Sequence, residues 1–483
     1  MQTLVINYLQ TLGYKLPTTE MYDKIEEWKE WYNGYVKKFH KYTDTFGTER
    51  QMYYLGMAKQ ICEDWASIIF TEKDEITTSE KQNEEFIKEK IKELNLVNEL
   101  QECIEMASWS GTCAGVIRLK NVTIENGTMI ADKDTEYDLV KISADKIIPL
   151  RIEHGKIIDC AFTSETTDRD KKIIYIEIHQ LKKDGYEITN KFIDAKTGKE
   201  IIYQDVLRSY KTNSNVPLFA ILEPPKLNTI ENNLGLGLSV YANAIPQLKA
   251  CDITYNNFVM DFYLGGKKLI YNKKLIKYKQ NKIKKEDGTY EIKDIPIYPD
   301  DISKQQFMEI GDDLPNDKNE LIHEYNPDLR PDANQTGIQY ALNMTGFKCG
   351  MGTKYYEFNG NAVVTATQYV GDRQDLLKNA QKYRDNLDTF IEDLTKAILL
   401  LGRKVYGANV TEDCEIQVTN KDGILVSDEE LKEQYIKEIS LGIRSIEEYR
   451  QKFFGEDEEK ARKMIALANA GTEILPSEEW YKW

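Results

Sequence analysis

The residue types that most often do chemistry are sparse and scattered in this chain. The four histidines (His40, His154, His179 and His323) share no metal-ligand spacing and form no i, i+4 pair, so they read as structural imidazoles. Carboxylate pairs such as Asp300–Asp301 and Asp312–Asp313 lie in turn-rich stretches. Adjacent side chains there need not converge, and these read as solvated turns rather than a metal dyad. Seven cysteines stand singly without a C-x-x-C pair, which argues against a disulfide framework or a zinc site and for buried free thiols. Two glycine patterns invite a phosphate-loop reading. GLGLS (residues 235–239) precedes a helical stretch but lacks the third glycine of a dinucleotide fingerprint, the Walker lysine and a preceding strand. GTCAG (residues 111–115) follows a helix and precedes a strand, the reverse of the required order. No G-x-S-x-G elbow, kinase set or H-E-x-x-H motif occurs. No catalytic constellation, metal or cofactor is expected.

What does stand out is a contrast of charge. SVYANAIPQLKACDITYNNFVMDFYL reads as a long, nearly uncharged helix, and nine lysines without an acid follow between Lys267 and Lys285. The whole chain is acidic, with 64 Lys and Arg against 80 Asp and Glu and a net charge of −16, which speaks against a simple nucleic-acid binder. The lysine run reads either as a solvated, edge-protecting face or as a phosphate-binding surface. At 483 residues, two or more domains are expected. Hydrophobic content of 41% with 30% charged residues describes a soluble globular protein. No apolar run is long enough for a membrane span, and the first ten residues lack the basic start of a signal peptide. These features predict a protein used in a cytoplasm or carried out inside something larger.

The elements that must position these residues follow from periodicity. EMYDKIEEWKEWYNGYVKKF places Met21, Ile25, Trp28, Tyr32, Tyr35 and Phe39 on one helical stripe. A second helix fits QMYYLGMAKQICEDWASIIF, and a third, charged one fits residues 80–109. From Gly115 to about Leu222 short β-rich runs alternate with turn signals. In KIIYIEIHQL, Ile174, Ile176 and Ile178 alternate with Tyr175, Glu177 and His179, as on a half-buried antiparallel strand. The uncharged helix carries Val240, Ala244, Leu248, Cys251, Tyr255, Phe258 and Phe262 on one stripe; Pro246 fits only in its first turn. Residues 267–330 form a small β-like insert, NQTGIQYALNMTGFKCG a further helix, and Gly346, Gly350 and Gly352 open a polar loop. A long helix then runs through Leu376, Tyr383, Phe390 and Leu401, with Gly402 expected as its cap. CEIQVTN is strand-like, and charged helices end the chain.

Taken in order, these segments resemble the portal (head–tail connector) protein of tailed bacteriophages, particularly long-tailed phages of Gram-positive hosts. GMAKQICEDWASIIFTEKDEI is similar to the family's N-terminal helix running into a β segment. ISADKIIPLRIEHGKIIDCAF and IIYIEIHQLKKDGYEITNKF resemble its β-rich wing. VPLFAILEPPKLNTIENNLGLGLSVYANAIPQLKACDITYNNFVMDFYLGGKKLI carries the strongest likeness, and VVTATQYVGDRQDLLKNAQKY resembles the tunnel-side segment.

The resemblance implies an α+β portal fold. Its parts would be an α/β wing (1–237), a first stem helix (238–265), a small β-containing clip (266–330) and a second stem helix (331–350). A tunnel loop (351–365), a long wing helix (366–402) and a helical crown (403–483) would follow. Such subunits form a ring, usually a dodecamer, around a channel through which double-stranded DNA is packaged and ejected. The resemblance further implies a non-enzymatic role at the capsid vertex of the virion, with assembly in the host cytoplasm and no membrane. Partners would be the terminase large subunit, which hydrolyses ATP, the head–tail adaptor, and capsid and scaffolding proteins. Lys354, Tyr355, Tyr356, Phe358 and Asn359 would face DNA. Lys267, Lys268, Lys273, Lys274, Lys277 and Lys279 would form the docking surface, and Leu248, Tyr255, Phe258 and Phe262 would pack the stem. On this reading neighbouring subunits bury the sparsely charged helix, and an acidic channel lets a duplex slide without gripping its phosphates. The rival readings are a nucleic-acid-processing enzyme with a lysine-rich insert, or another phage capsid or scaffolding component.

Overall fold

The computed structural model describes residues 2–14, 16, 20–44, 47–70, 75–125, 128–169, 171–203, 206–231, 235–272, 278–284, 290–296, 307–310, 322–358, 374–419 and 428–472. The N-terminal part is helical: α1 (Gln2–Thr11), α2 (Glu20–Tyr32), the short α3 (Lys37–His40), α4 (Met57–Ile69), α5 (Lys81–Glu93) and α6 (Leu96–Ser110). Between them lie a hairpin of β1 (Lys41–Thr43) and β2 (Glu49–Gln51), and β3 (Glu75–Thr78). Three expectations are corrected here. The stripe of α2 buries Met21, Ile25 and Trp28, but the helix stops at Tyr32. Asn33 and Gly34 follow, with Gly34 at φ +86°, which leaves Tyr35 and Phe39 outside it. The second helix starts only at Met57, and Gln51 belongs to β2. The charged helix is two helices, broken where Asn95 adopts φ +49°, a left-handed conformation asparagine tolerates better than most residues.

The β region forms two antiparallel sheets. The smaller one orders β14 (Phe219–Leu222), β4 (Cys113–Lys120) and β7 (Glu136–Ser143). β5 (Thr123–Glu125) and β6 (Thr128–Ile130) make a separate hairpin. The larger sheet contains β8 (Ile147–Glu153), β9 (Lys156–Asp168), β10 (Lys171–Lys182), β11 (Gly185–Asp194) and β12 (Glu200–Ile201) in that order, with β13 (Ser209–Lys211) also on β11. The alternation in β10 is real, but both of its faces are buried, not one. Ile174, Ile176 and Ile178 pack under Val5, Tyr8 and Leu9 of α1. Glu177 and His179 point the other way, among Phe162 and Phe219. There Glu177 pairs with Arg118 of β4 and with His179 Nε2 at 2.8 Å.

The chain then leaves this body and returns. It runs out as α7 (Ile245–Leu264) and through β15 (Lys268–Asn272), β16 (Tyr278–Lys284), β17 (Tyr290–Pro296), β18 (Phe307–Ile310) and β19 (Ile322–Tyr325). It comes back as α8 (Pro331–Cys349). Pro246 is the second residue of α7, where its missing N–H costs nothing. The long helix α9 (Gln374–Lys404) buries the expected stripe, Leu376, Ala380, Tyr383, Leu387, Phe390 and Leu394 among them. Gly402 does not cap it. It lies inside the last turns, where a Cβ would stand 2.6 Å from the Phe86 ring. Beyond it, β20 (Ile416–Thr419) pairs with β3 of the N-terminal part. The separate C-terminal helices, α10 (Asp428–Ser440), α11 (Ile446–Phe454) and α12 (Glu458–Thr472), begin only after that. The fold is α+β, as expected.

The two glycine patterns meet in this fold. Gly111 ends α6 at φ +87°, and a Cβ there would collide with the Gly237 carbonyl oxygen. A Cβ on Gly237 would likewise strike the Gly111 carbonyl. Gly237 N–H donates to Thr112 Oγ1 at 2.8 Å, and Val240 N–H and Ser239 Oγ both donate to Ser108 O. The glycines serve a backbone crossing, not a phosphate. Gly111→Ala and Gly237→Ala should each lose about 2–4 kcal/mol, read as a lower denaturation midpoint; unchanged midpoints would show that the crossing relaxes.

Glu177 gives a second expectation. Burial alone would raise its carboxyl, but the hydrogen bond and charge of His179, then Arg118, outweigh burial and hold it at about 2 against an ordinary 4.5. The folded state binds this proton less readily than the unfolded chain. Its contribution is therefore complete above pH 4.5 and is lost as pH falls from there toward 2. Glu177→Gln should flatten that acid limb and lower stability at neutral pH by roughly 2–3 kcal/mol, measured by unfolding at stepped pH.

Candidate functional site

The paired helices α7 and α8 are the framework from which every candidate site residue hangs. They run antiparallel and are pinned at both ends. Near the far end, Asp261 accepts from Arg330 N–H at 3.0 Å, from the Arg330 guanidinium at 2.9 Å and from the Asn334 amide at 3.0 Å. Those contacts, the Arg330 guanidinium first, hold its carboxyl below the usual range. Nearer the body, Cys251 Sγ meets Thr345 Oγ1 at 3.2 Å. At the root of α7, Asp252 accepts from Leu55 N–H at 2.8 Å and from His40 Nε2 at 3.0 Å. His40 Nδ1 accepts from Val36 N–H at 2.8 Å, which fixes the tautomer with its proton toward Asp252. Burial pushes the Asp252 carboxyl up. The rings of Trp31, Tyr35, Phe39 and Tyr54 surround this imidazole.

The stem-packing residues divide along the helix. Leu248 is buried in the subunit's own core, Tyr255 and Phe258 are half-buried, and Phe262 is 46% exposed with its ring edge-on to Phe258. Tyr263, Leu264, Tyr340 and Phe347 on the same helix pair are also exposed, each to at least half.

In the lysine-rich insert an acid, Glu324 of β19, reaches a lysine, Lys267, from another strand. β15 pairs with β18 in parallel and with β19 antiparallel, while β16 and β17 form a separate hairpin. Exposed Lys267 bonds Glu324 at 2.7 Å, Lys268 begins β15, and Lys279 lies opposite Ile295. On the hairpin, Ile283 faces Glu291 and Gln280 faces Asp294. Lys273, Lys274, Lys277 and the two aspartate pairs lie outside the described residues.

The loop after α8 is more constrained than its glycines suggest. Gly350 at φ +86° caps α8, and Gly352 at φ +84° turns the chain back. Residues 352–358 then run antiparallel along α8. Gln339 Nε2 donates to Tyr356 O at 2.9 Å, and Phe358 N–H donates to Gln339 Oε1 at 3.1 Å. Tyr356 donates its hydroxyl to Asp64 of α4 at 2.7 Å, and burial pushes that phenol far up. Tyr355 and Tyr356 thus pack against the wing, Lys354 is exposed, Phe358 is 72% exposed, and Asn359 lies outside the described residues. Sequence reasoning missed Gln339 and Asp64. Only the polar face of the α8 helix hinted at the first, and nothing local marked the second.

Among the described residues, no group of three or more His, Cys, Asp or Glu side chains could hold a metal ion. Burial pushes the Cys62 and Cys160 thiols well up and Cys349 to about 12, which makes them poor nucleophiles. Burial also raises Glu223 to about 7, where it lines a groove with Asn386 and Asp393. His154 occupies the turn between β8 and β9, and His323 lies in β19, remote in sequence from any ligand set. Among the described residues no helix is long and apolar enough to cross a membrane.

One family model matches, described as phage portal protein, SPP1 Gp6-like, and it covers residues 17–471. No curated protein matches the chain. The matched span takes in all but the first helix of the N-terminal part, the two sheets, the antiparallel helix pair, the lysine-rich insert, the turned-back loop and the C-terminal helices to residue 471. The chain belongs to the SPP1 Gp6-like family of phage portal proteins.

Proposed function

We propose that this portal protein assembles into a ring, dodecameric as is usual in such proteins, at the capsid vertex. Double-stranded DNA is packaged and ejected through its channel. The observation that carries the ring is the apolar surface of the α7–α8 pair. Phe262, Tyr263, Leu264, Tyr340 and Phe347 are all exposed on two helices that a lone subunit holds away from its core. In a ring each subunit presents two different faces to its two neighbours, and these exposed side chains belong to the surface that the neighbours cover. Residues 238–265 and 331–350 are then the stem, and 266–330 the clip. The clip's lysines meet the terminase large subunit during packaging and the head–tail adaptor afterwards. The wing meets capsid and scaffolding proteins, and the subunit itself hydrolyses neither ATP nor DNA.

The loop from residue 351 faces the duplex. Tyr355 and Tyr356 form its anchored foot, and Lys354 and Phe358 are exposed toward the passing strand. The acidic balance of the chain, −16, keeps average contact with phosphates weak, so that DNA slides.

Two outcomes test this reading. Purified protein at micromolar concentration should sediment as a ring and show a central hole by negative stain. Phe262→Ser combined with Tyr263→Ser should shift it toward monomer, whereas a stable wild-type monomer at every salt concentration defeats the assembly. Second, Lys354→Ala should leave the ring intact while changing the amount of DNA retained. Removing residues 357–360 should reduce packaging at least about tenfold with little change in folding, a loss that corresponds to about 1.4 kcal/mol or more of coupling. Normal packaging by the shortened chain removes the loop from the channel.

A further inference from the structure

Helix α8 presents an unusual track on one face. Gln339, Asn343 and Gly346 fall at i, i+4 and i+7, and the returning chain lies along all three. At Gly346 the fit is steric, since a Cβ would stand 2.7 Å from the Gly352 carbonyl oxygen. At Asn343 the side-chain oxygen accepts from Gln339 Nε2 at 2.8 Å, next to the returning chain at Thr353. At Gln339 the carboxamide pairs with two backbone groups of the turning loop, donating to Tyr356 O and accepting from Phe358 N–H. Between these two contacts the Tyr356 side chain reaches in the other direction, to Asp64 of α4.

We propose that Gln339 and Asp64 form a latch that positions residues 353–358, so that the second stem helix sets where Lys354 and Phe358 stand relative to the DNA. Both are positioning residues, and neither touches the duplex. The inference rests on the reading of this loop as the channel element, and it adds the mechanism by which the loop is held. An apolar loop foot could be packed by any helix of suitable shape. A side-chain amide that donates to one loop carbonyl and accepts from one loop N–H holds one register, because sliding the loop along α8 breaks both hydrogen bonds at once. The latch ties the loop to two elements at once, α8 and the wing helix α4. Movement of either one relative to the other must therefore load Tyr356.

The test uses the full-length assembled ring. In Gln339→Ala the Phe358 amide should lose protection, with hydrogen exchange faster by about tenfold or more, while ring mass is unchanged. In a packaging reaction with linear double-stranded DNA, the same ring should retain less full-length DNA than wild type. Tyr356→Phe, which keeps the ring packing and deletes only the contact to Asp64, should give a smaller change of the same sign in both measurements. The channel reading is checked separately by removing residues 357–360. If that deletion abolishes packaging while Gln339→Ala speeds exchange and packages normally, the loop works without the latch. The proposal then fails while the channel reading stands. If neither variant affects packaging, both fail. Unchanged exchange in Gln339→Ala overturns the latch directly. Should that variant not assemble, Gln339→Glu keeps an acceptor for Phe358 N–H and loses the donor to Tyr356 O. Protection should then survive at Phe358 while packaging falls, and loss of neither overturns the proposal.

Discussion

Two backbone segments pass so closely at Gly111 and Gly237 that neither position has room for a Cβ, and the chain's approach to the outgoing stem follows from that contact. The end of α6 and the approach to α7 are separated by more than a hundred residues of sheet. They are nevertheless joined by Gly237 N–H to Thr112 Oγ1 and by Val240 N–H to Ser108 O. A hydrophobic contact could slide by a fraction of an ångström without penalty. A backbone carbonyl against a Cα cannot, because the repulsive wall is steep and no rotamer relieves it. The crossing fixes the chain shortly before α7 begins at Ile245, and Cys251, Asp252 and Asp261 then tie the helix itself to its neighbours.

Buried polar groups repeat this logic elsewhere. Asp252 is held by Leu55 N–H and His40; Glu177 by Arg118 and His179 between the two sheets. The Arg384 guanidinium of α9 donates to the carbonyls of Ile68 and Ile69, where a cation meets the C-terminal end of α4. Burying such groups brings little net stability, since desolvation opposes the pairing. What they add is selectivity. A misplaced α9 would leave a guanidinium in the core without an acceptor, and that state is excluded by several kcal/mol, on the order of 3–5. The wing is thus assembled from apolar layers that supply the driving force and a few polar ties that choose one arrangement of them.

How much of this the sequence revealed depended on whether the signal was local. The β runs were legible because alternation survives inside each strand, and so was the position of Pro246, which only a first turn accommodates. The breaks at Asn33–Gly34 and Asn95 carried correct turn residues, but the apolar stripe runs on through both, and periodicity outvoted them. The second buried face of β10 was not legible. Glu177 and His179 look like solvent-facing residues until Arg118, from another sheet, is seen to neutralise the first. Gly402 misled because a glycine at a helix end has two uses, and the Phe86 ring that demands its small size lies over three hundred residues earlier. The candidate site was legible as a segment and not as a geometry. The loop's glycines and aromatics marked it, yet the tie between Tyr356 and Asp64 spans 292 positions of sequence, and no pattern within the loop points there.

The stem's second helix has a mechanical role that follows from its two ends. α8 is 19 residues long, about 28 Å at 1.5 Å per residue, and it contains no proline after its first position. A helix of that length without a kink source transmits tilt as a rigid rod. At its N-terminal end Arg330 and Asn334 are tied to Asp261, next to the lysine-rich insert. From its middle onward Gln339, Asn343 and Gly346 lie along the returning loop, and at its C-terminal end Gly350 O accepts from the Asn379 amide of α9 at 3.0 Å. In the ring proposed above, a partner that displaces the insert by a few ångströms pivots α8 about the Gly350–Asn379 contact. Gly352 lies beside that pivot, but the Gln339 contact to Tyr356 and Phe358 lies about 16 Å away along the helix, so a tilt of α8 moves the far part of the loop more than its start.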